Sequence, residues 1–250
     1  MREKWPVGKL YGVSVGTGDP ELITVKGLKL LQQATIVAFP EGIRGKPGIA
    51  ERIIQPWLQS HQMLLPLKFP YVQDDQQLTQ AWQAAAQTVL SYLQNGEEIA
   101  FACEGDISFY STFTYLAQTL QELDSNVEVE TVPGVCSPMA VASELGIPLT
   151  ARSQRLMILP TLYHVEELET ALQTAEVVVL MKFSSLYSQV WELLQQKGLL
   201  DTAWIVEKAT MPDQVIYNNL RDRESLQLSY FSVMIVQTAA SNHLRETGQY

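Results

Sequence analysis

Seven short apolar runs, separated by segments with helical spacing, constrain this chain more than any other feature. Residues 10–15, 34–39, 98–103, 127–132, 157–159, 177–181 and 203–206 are crowded with apolar side chains, many of them β-branched or aromatic, the pattern of buried strands. Between them, residues 22–32, 49–59, 75–94, 112–123, 137–145, 165–174 and 186–197 have helical spacing or helix-forming composition. This alternation predicts an α/β fold with mainly parallel sheets flanked by helices. The turn-prone Asp124-Ser125-Asn126 precedes a new apolar run. Two αβα domains are therefore expected, residues 1–125 and 126–237, with a cleft between them as the place for a ligand. Residues 215–218 and 231–236 read as strands on either side of the charged Arg221-Asp222-Arg223-Glu224, which suggests an antiparallel edge or hairpin finish. Residues 238–250 lack an apolar period and read as a flexible tail.

Composition narrows the function classes. With 46% hydrophobic and only 18% charged residues, 250 residues are enough for one large core or two modest ones. A net charge of −10 argues against nucleic acid as a partner, because counterion displacement needs a basic face. No window approaches 18 uninterrupted apolar residues and no secretory apolar core opens the chain, so no membrane span is expected and the reading is cytoplasmic. Cys103 and Cys136 stand far apart and singly, which suits a reducing compartment and no disulfide framework. His61, His164 and His243 lack ligand-like spacing, so no metal is expected. The absence of a Gly-x-Ser-x-Gly elbow removes the simplest hydrolase reading.

The first strand breaks into Gly16-Thr17-Gly18-Asp19-Pro20 and a helical pattern follows. Gly16 and Gly18 permit backbone angles and close approaches that a Cβ resists. A dinucleotide fingerprint needs a third glycine where Glu21 stands, and a phosphate loop needs a lysine that is missing. The acidic Asp19-Pro20-Glu21 would repel phosphate, so a cationic or neutral ligand is expected. Three more loops follow predicted strands: residues 103–112, 132–137 and 206–210. Open α/β sheets bind ligands at that edge. Taken singly, a Gly-Asp turn or a Pro-Gly pair is ordinary chain punctuation, and Cys136 at a helix start reads as an activated thiol or, with no histidine near it in sequence, as a small packing residue; the set carries the inference.

These residues resemble a known family. Gly12-Val13-Ser14-Val15-Gly16-Thr17-Gly18-Asp19-Pro20-Glu21-Leu22-Ile23-Thr24-Val25-Lys26-Gly27, then Glu104-Gly105-Asp106-Ile107-Ser108-Phe109-Tyr110-Ser111-Thr112, then Val132-Pro133-Gly134-Val135, look in that order like the tetrapyrrole methylases. Phe69-Pro70 with Asp74 and Ala81-Trp82, the run from Tyr110 to Leu116, and Leu228-Ser229-Tyr230-Phe231-Ser232 resemble the branch acting at C20 of precorrin-2 in cobalamin biosynthesis. The resemblance implies S-adenosylmethionine as methyl donor, S-adenosylhomocysteine as product, a tetrapyrrole as substrate and a homodimer. Carried over by position, donor contacts would come from Thr17, from Glu104, Gly105, Asp106 and Phe109, from Cys136 and Ser137, and from Met181 and Ala209. Thr17 and Ile107 stand where the family commonly has proline, so neither loop has that fixed φ.

The implied chemistry asks mainly for alignment, since a sulfonium carries its own leaving group and no residue identifies itself as the base that removes the C20 proton. Asp106 has two readings: a carboxylate near the sulfonium, or an Asx-turn residue bonding its own backbone. The ring's carboxylates call for local positive charge, with Arg44, Lys46, Arg152, Arg155 and Lys182 as candidates. Methylation at C17, C11 or on uroporphyrinogen III is the alternative, and a non-catalytic binding protein is the other class.

Overall fold

The computed structural model describes residues 7–42, 45–70, 72 and 74–238. Of the tail expected at residues 238–250, residues 239–250 lie outside the described residues, as does Arg44. Among those described, no helix is long and apolar enough to cross a membrane.

The chain forms two compact units, the first ending at Cys136 and the second beginning at Ser137. In the first, β1 (Lys9–Ser14), β2 (Ile36–Pro40), β3 (Met63–Leu67), β4 (Ile99–Cys103) and β5 (Glu128–Val132) build one sheet in the order β3-β2-β4-β1-β5. Every neighbouring pair in it is parallel. Because β5 pairs with β1 from Lys9↔Glu128 to Val13↔Val132, the division falls after the strand, and the boundary expected at residue 125 moves to residue 136. The two-residue period of the strands sorts their side chains. Leu10, Ile36, Ala38, Ile99 and Phe101 face α3 (Asp75–Leu93) and α4 (Thr112–Leu123). Val13, Val37, Phe39, Ala100 and Ala102 face α1 (Val25–Gln33) and α2 (Ile49–Ile54).

That sorting singles out one point on the carboxyl edge of the first sheet. β1 and β4 are neighbours, yet the helix after β1 packs on one face of the sheet and the helix after β4 on the other. Their carboxyl ends therefore form a topological switch point, where the departing chains diverge and leave room for a ligand.

In the second unit, β6 (Leu156–Leu159), β7 (Val177–Met181), β8 (Ala203–Glu207), β9 (Val215–Tyr217) and β10 (Ser232–Gln237) run in the order β6-β7-β10-β8-β9. Here α6 (Val165–Thr174) and α7 (Tyr187–Gln196) cover Val178, Leu180, Ile205 and Met234. The opposite face, with Val179, Val206 and Ile235, packs on Val141 and Ala142 of α5 (Ser137–Glu144). The expected antiparallel finish is half right. β9 is the antiparallel edge, but β10 enters the middle of the sheet, antiparallel to both β7 and β8, and does not pair with β9. Its SVMIVQ, with an unbroken apolar centre and every residue buried, reads as an interior strand once its neighbours are known.

Candidate functional site

Three loops meet at the β1/β4 switch point of the first unit. Gly16 and Gly105, at φ 78° and 70°, form a bridge across the divergence. The Gly105 N–H donates to the Gly16 carbonyl at 2.7 Å and the Gly16 N–H to the Gly105 carbonyl at 3.3 Å. Both need the left-handed region that glycine enters at little cost. The loop after β5 closes in from the other side. A Cβ on Gly134 would lie 2.4 Å from the Cβ of Ser14, so only glycine lets this loop sit against the end of β1.

Polar side chains complete the tie. The Asp106 carboxylate accepts from the Ser108 N–H at 2.9 Å, from the Ser108 hydroxyl at 2.5 Å and from the Gly134 N–H at 2.7 Å. Partial burial works to raise its pKa, but these donors outweigh burial and hold it below the ordinary carboxylate range. Of the two readings of Asp106, the hydrogen bonds describe the Asx-type one, extended by a strut to the third loop. The Ser14 hydroxyl, fully buried, accepts from the Ile107 N–H at 2.8 Å. This bond gives the departure at residue 107 a reason: proline there has no N–H to donate. Ser111 caps α4 by accepting from the Phe113 N–H and lies 2.9 Å from the Cys103 sulfur. Burial pushes the Cys103 thiol up to about 12, so it is no nucleophile.

The structure thus gathers Thr17, Glu104, Gly105, Asp106, Phe109 and Cys136 on one edge of the first sheet. Ser137 opens α5 in the second unit, Met181 ends β7 and Ala209 follows β8. Met181 and Ala209 share the corresponding edge of the second sheet, on either side of β10. Backbone strain collects at the same edges: of the five non-glycine residues at positive φ among the described residues, Tyr110, Lys182, Lys208 and Thr210 follow strands there. Ser14, Ser108 and Glu207 escape the sequence reading. Glu207 is buried at the end of β8 and accepts from the Ser229 N–H at 2.6 Å and the Tyr217 hydroxyl at 3.0 Å. Burial works against its charge, but these bonds hold its pKa below the ordinary value. The sequence signal for Ser14 is a lone hydroxyl inside an apolar strand; for Glu207 it is a carboxylate closing one.

Residues 15–24, 104–112 and 132–137 contain Asp19, Glu21, Glu104 and Asp106 and not one lysine, arginine or histidine. The side-chain charge on these loops is therefore negative, which disfavours an anionic ligand there.

The profile of the family described as Tetrapyrrole (Corrin/Porphyrin) Methylases matches residues 9–223. The chain is a member of that family. This tetrapyrrole methylase is 30% identical over 230 residues to the cobalt-precorrin-2 C(20)-methyltransferase of Salmonella typhimurium, covering 92% of this chain and 96% of that one. It is 32% identical over 238 residues to the precorrin-2 C(20)-methyltransferase of a Sinorhizobium species, covering 92% and 95%. A relative named for another carbon, the cobalt-precorrin-4 C(11)-methyltransferase of Priestia megaterium, matches at 28% over 83% of this chain and 77% of that one. Among solved structures, a cobalt precorrin-4 methyltransferase superposes with a TM-score of 0.68 at 24% identity, covering 92% and 94% of the two chains. The uroporphyrin-III C-methyltransferase of Thermus thermophilus, complexed with S-adenosyl homocysteine, does so with a TM-score of 0.62 at 19% identity, covering 93% and 99%.

Proposed function

We propose that this methylase transfers the methyl group of S-adenosylmethionine to C20 of precorrin-2 or of its cobalt-bearing counterpart, in cobalamin biosynthesis. One observation carries the donor half of the reading: the hydrogen-bonded junction of three loops at the switch point, acidic and free of basic side chains, suits a sulfonium and repels phosphate. The ring position is supported by the two relatives named for C20 at 30% and 32% identity, against 28% for the C(11) relative.

The residues present fit such a donor. A Cβ on Gly105 would meet nothing within 4 Å, so the main chain there is open to an approaching ligand. Thr17, Glu104, Gly105, Asp106, Phe109, Cys136, Ser137, Met181 and Ala209 are the proposed contacts, largely through backbone groups. The donor supplies the methyl group and its own leaving group. What remains for the chain is to hold the sulfonium in line with the ring carbon, and alignment of that kind can lower a barrier by roughly 7 to 11 kcal/mol in favourable cases. Asp106 serves this alignment as a positioning residue, by fixing the loops that touch the donor. Assembly as a homodimer in the cytoplasm belongs to the same reading.

Incubating the purified protein with labelled S-adenosylmethionine and with each form of precorrin-2, then locating the new methyl group by NMR, tests the proposal. Label at C20 with release of S-adenosylhomocysteine is expected. Label at C11 or C17, or on uroporphyrinogen III, moves the assignment within the family, and tight donor binding without turnover replaces it with a binding role.

A further inference from the structure

Lys182 stands at the carboxyl edge of the second sheet. It directly follows Met181, the last residue of β7, and holds φ at 50°, a conformation that a residue with a long side chain adopts only where its surroundings impose it. Its ammonium lies 5.5 Å from the centroid of the Tyr230 ring, an arrangement that orients the cation without neutralising it. Among the described residues Lys182 has no carboxylate partner, whereas Lys208, the other lysine on this edge, is bound to Asp213. Arg152 and Arg155 precede β6 and lie at the opposite, amino-terminal edge of the sheet, and Arg155 is held by Glu176.

Tyr230 is itself fixed from below. The buried Glu207 accepts from the Ser229 N–H at 2.6 Å and from the Ser232 hydroxyl at 3.3 Å, and the Lys208 N–H donates to the Phe231 carbonyl at 2.8 Å. Residues on both sides of Tyr230 are therefore anchored to the end of β8, while Tyr230 itself is 45% exposed and its ring meets that of Phe231 edge to face at 5.2 Å. An exposed aromatic face beside an uncompensated ammonium fits a flat ligand that carries anionic arms.

We propose that Lys182 receives a carboxylate of the tetrapyrrole, with Tyr230 as the residue that positions its ammonium. The proposal rests on ring methylation as the activity. Its test compares Lys182→Met, Lys182→Arg and Tyr230→Leu with the wild type in the methylation assay and in calorimetry with S-adenosylhomocysteine. Loss of one charge-assisted contact predicts a rise of about tenfold in KM for the ring in Lys182→Met, with kcat changed by less than about threefold. Lys182→Arg restores most of the loss, Tyr230→Leu shows a smaller rise, and affinity for S-adenosylhomocysteine stays within about twofold throughout. An unchanged KM in Lys182→Met overturns the proposal, and so does a donor affinity that falls in step with KM. A wild type that methylates no ring defeats the activity and not this contact. Wild type and Lys182→Met are then titrated with uroporphyrin, and equal affinity overturns the contact as well.

Discussion

Replacing Asp106 tests whether the three loops form one unit. In Asp106→Ala the Gly134 N–H, part-buried between the loops, loses a charged acceptor at 2.7 Å, and Ser108 loses two bonds that lie in solvent. The first loss costs about 1.5 to 3 kcal/mol, as for hydrogen bonds to ionised groups, and the exposed pair adds about 1 kcal/mol because water replaces it. The expected destabilisation is about 3 kcal/mol at pH 7. Asp106→Asn is milder, at about 1 kcal/mol, since its amide oxygen can keep Gly134 while its nitrogen turns to the Ser108 hydroxyl, which rotates to accept. The pH dependence has a fixed sign. The folded carboxyl titrates below its ordinary value of 3.8, so the wild-type advantage over alanine is complete above that value and is lost as pH falls through the lower, folded pKa. Urea unfolding of both proteins between about pH 3 and pH 8 gives this difference, and amide exchange at Gly134 reports it locally. An alanine variant within about 0.5 kcal/mol of wild type, or a gap that stays constant under acid, would refute the picture of a carboxylate strut.

Three further outcomes follow from the same junction. Gly134→Ala puts a Cβ 2.4 Å from that of the buried Ser14, so backbone must shift; an unfolding free energy lower by about 1 to 3 kcal/mol and weaker S-adenosylhomocysteine binding by calorimetry are expected. Ile107→Pro and Ser14→Ala each break the 2.8 Å bond between those residues, at about 1 to 3 kcal/mol apiece, and a double-mutant cycle by urea unfolding should show the combined cost below their sum. Iodoacetamide at pH 8 should label Cys136, which is partly exposed, and spare the buried Cys103 with its thiol near 12; mass spectrometry should show S-adenosylhomocysteine slowing the reaction at Cys136, and equal rates with and without it would count against a donor contact there.

Most elements of this fold were legible because their side chains repeat with the period of the structure they adopt. Ile99 to Cys103 is apolar without a break and became the central strand β4, buried along its whole length. β3 was missed for an equally physical reason. As an edge strand it exposes Met63 and Leu64, carries Pro66 inside and has no buried face to impose a pattern until its last residue, Leu67. β10 was read as a strand but misplaced, because a strand's partner and direction depend on the path of the chain between Tyr217 and Ser232, which carries no periodic signal.

The candidate site divides along the same line. Glycines at 16 and 105 announce backbone that must bend or approach closely, so the loops were recognisable from residue type alone. The groups that lock them, Ser14 to Ile107 and Asp106 to Gly134, join residues 93 and 28 positions apart. A serine inside a strand and an aspartate in a turn each have a sufficient local use, so nothing nearby betrays the distant partner. The departure from proline at residue 107 is the instructive case. As a sequence difference it looks like lost rigidity, yet in the folded chain the N–H it restores is the donor that satisfies a buried hydroxyl.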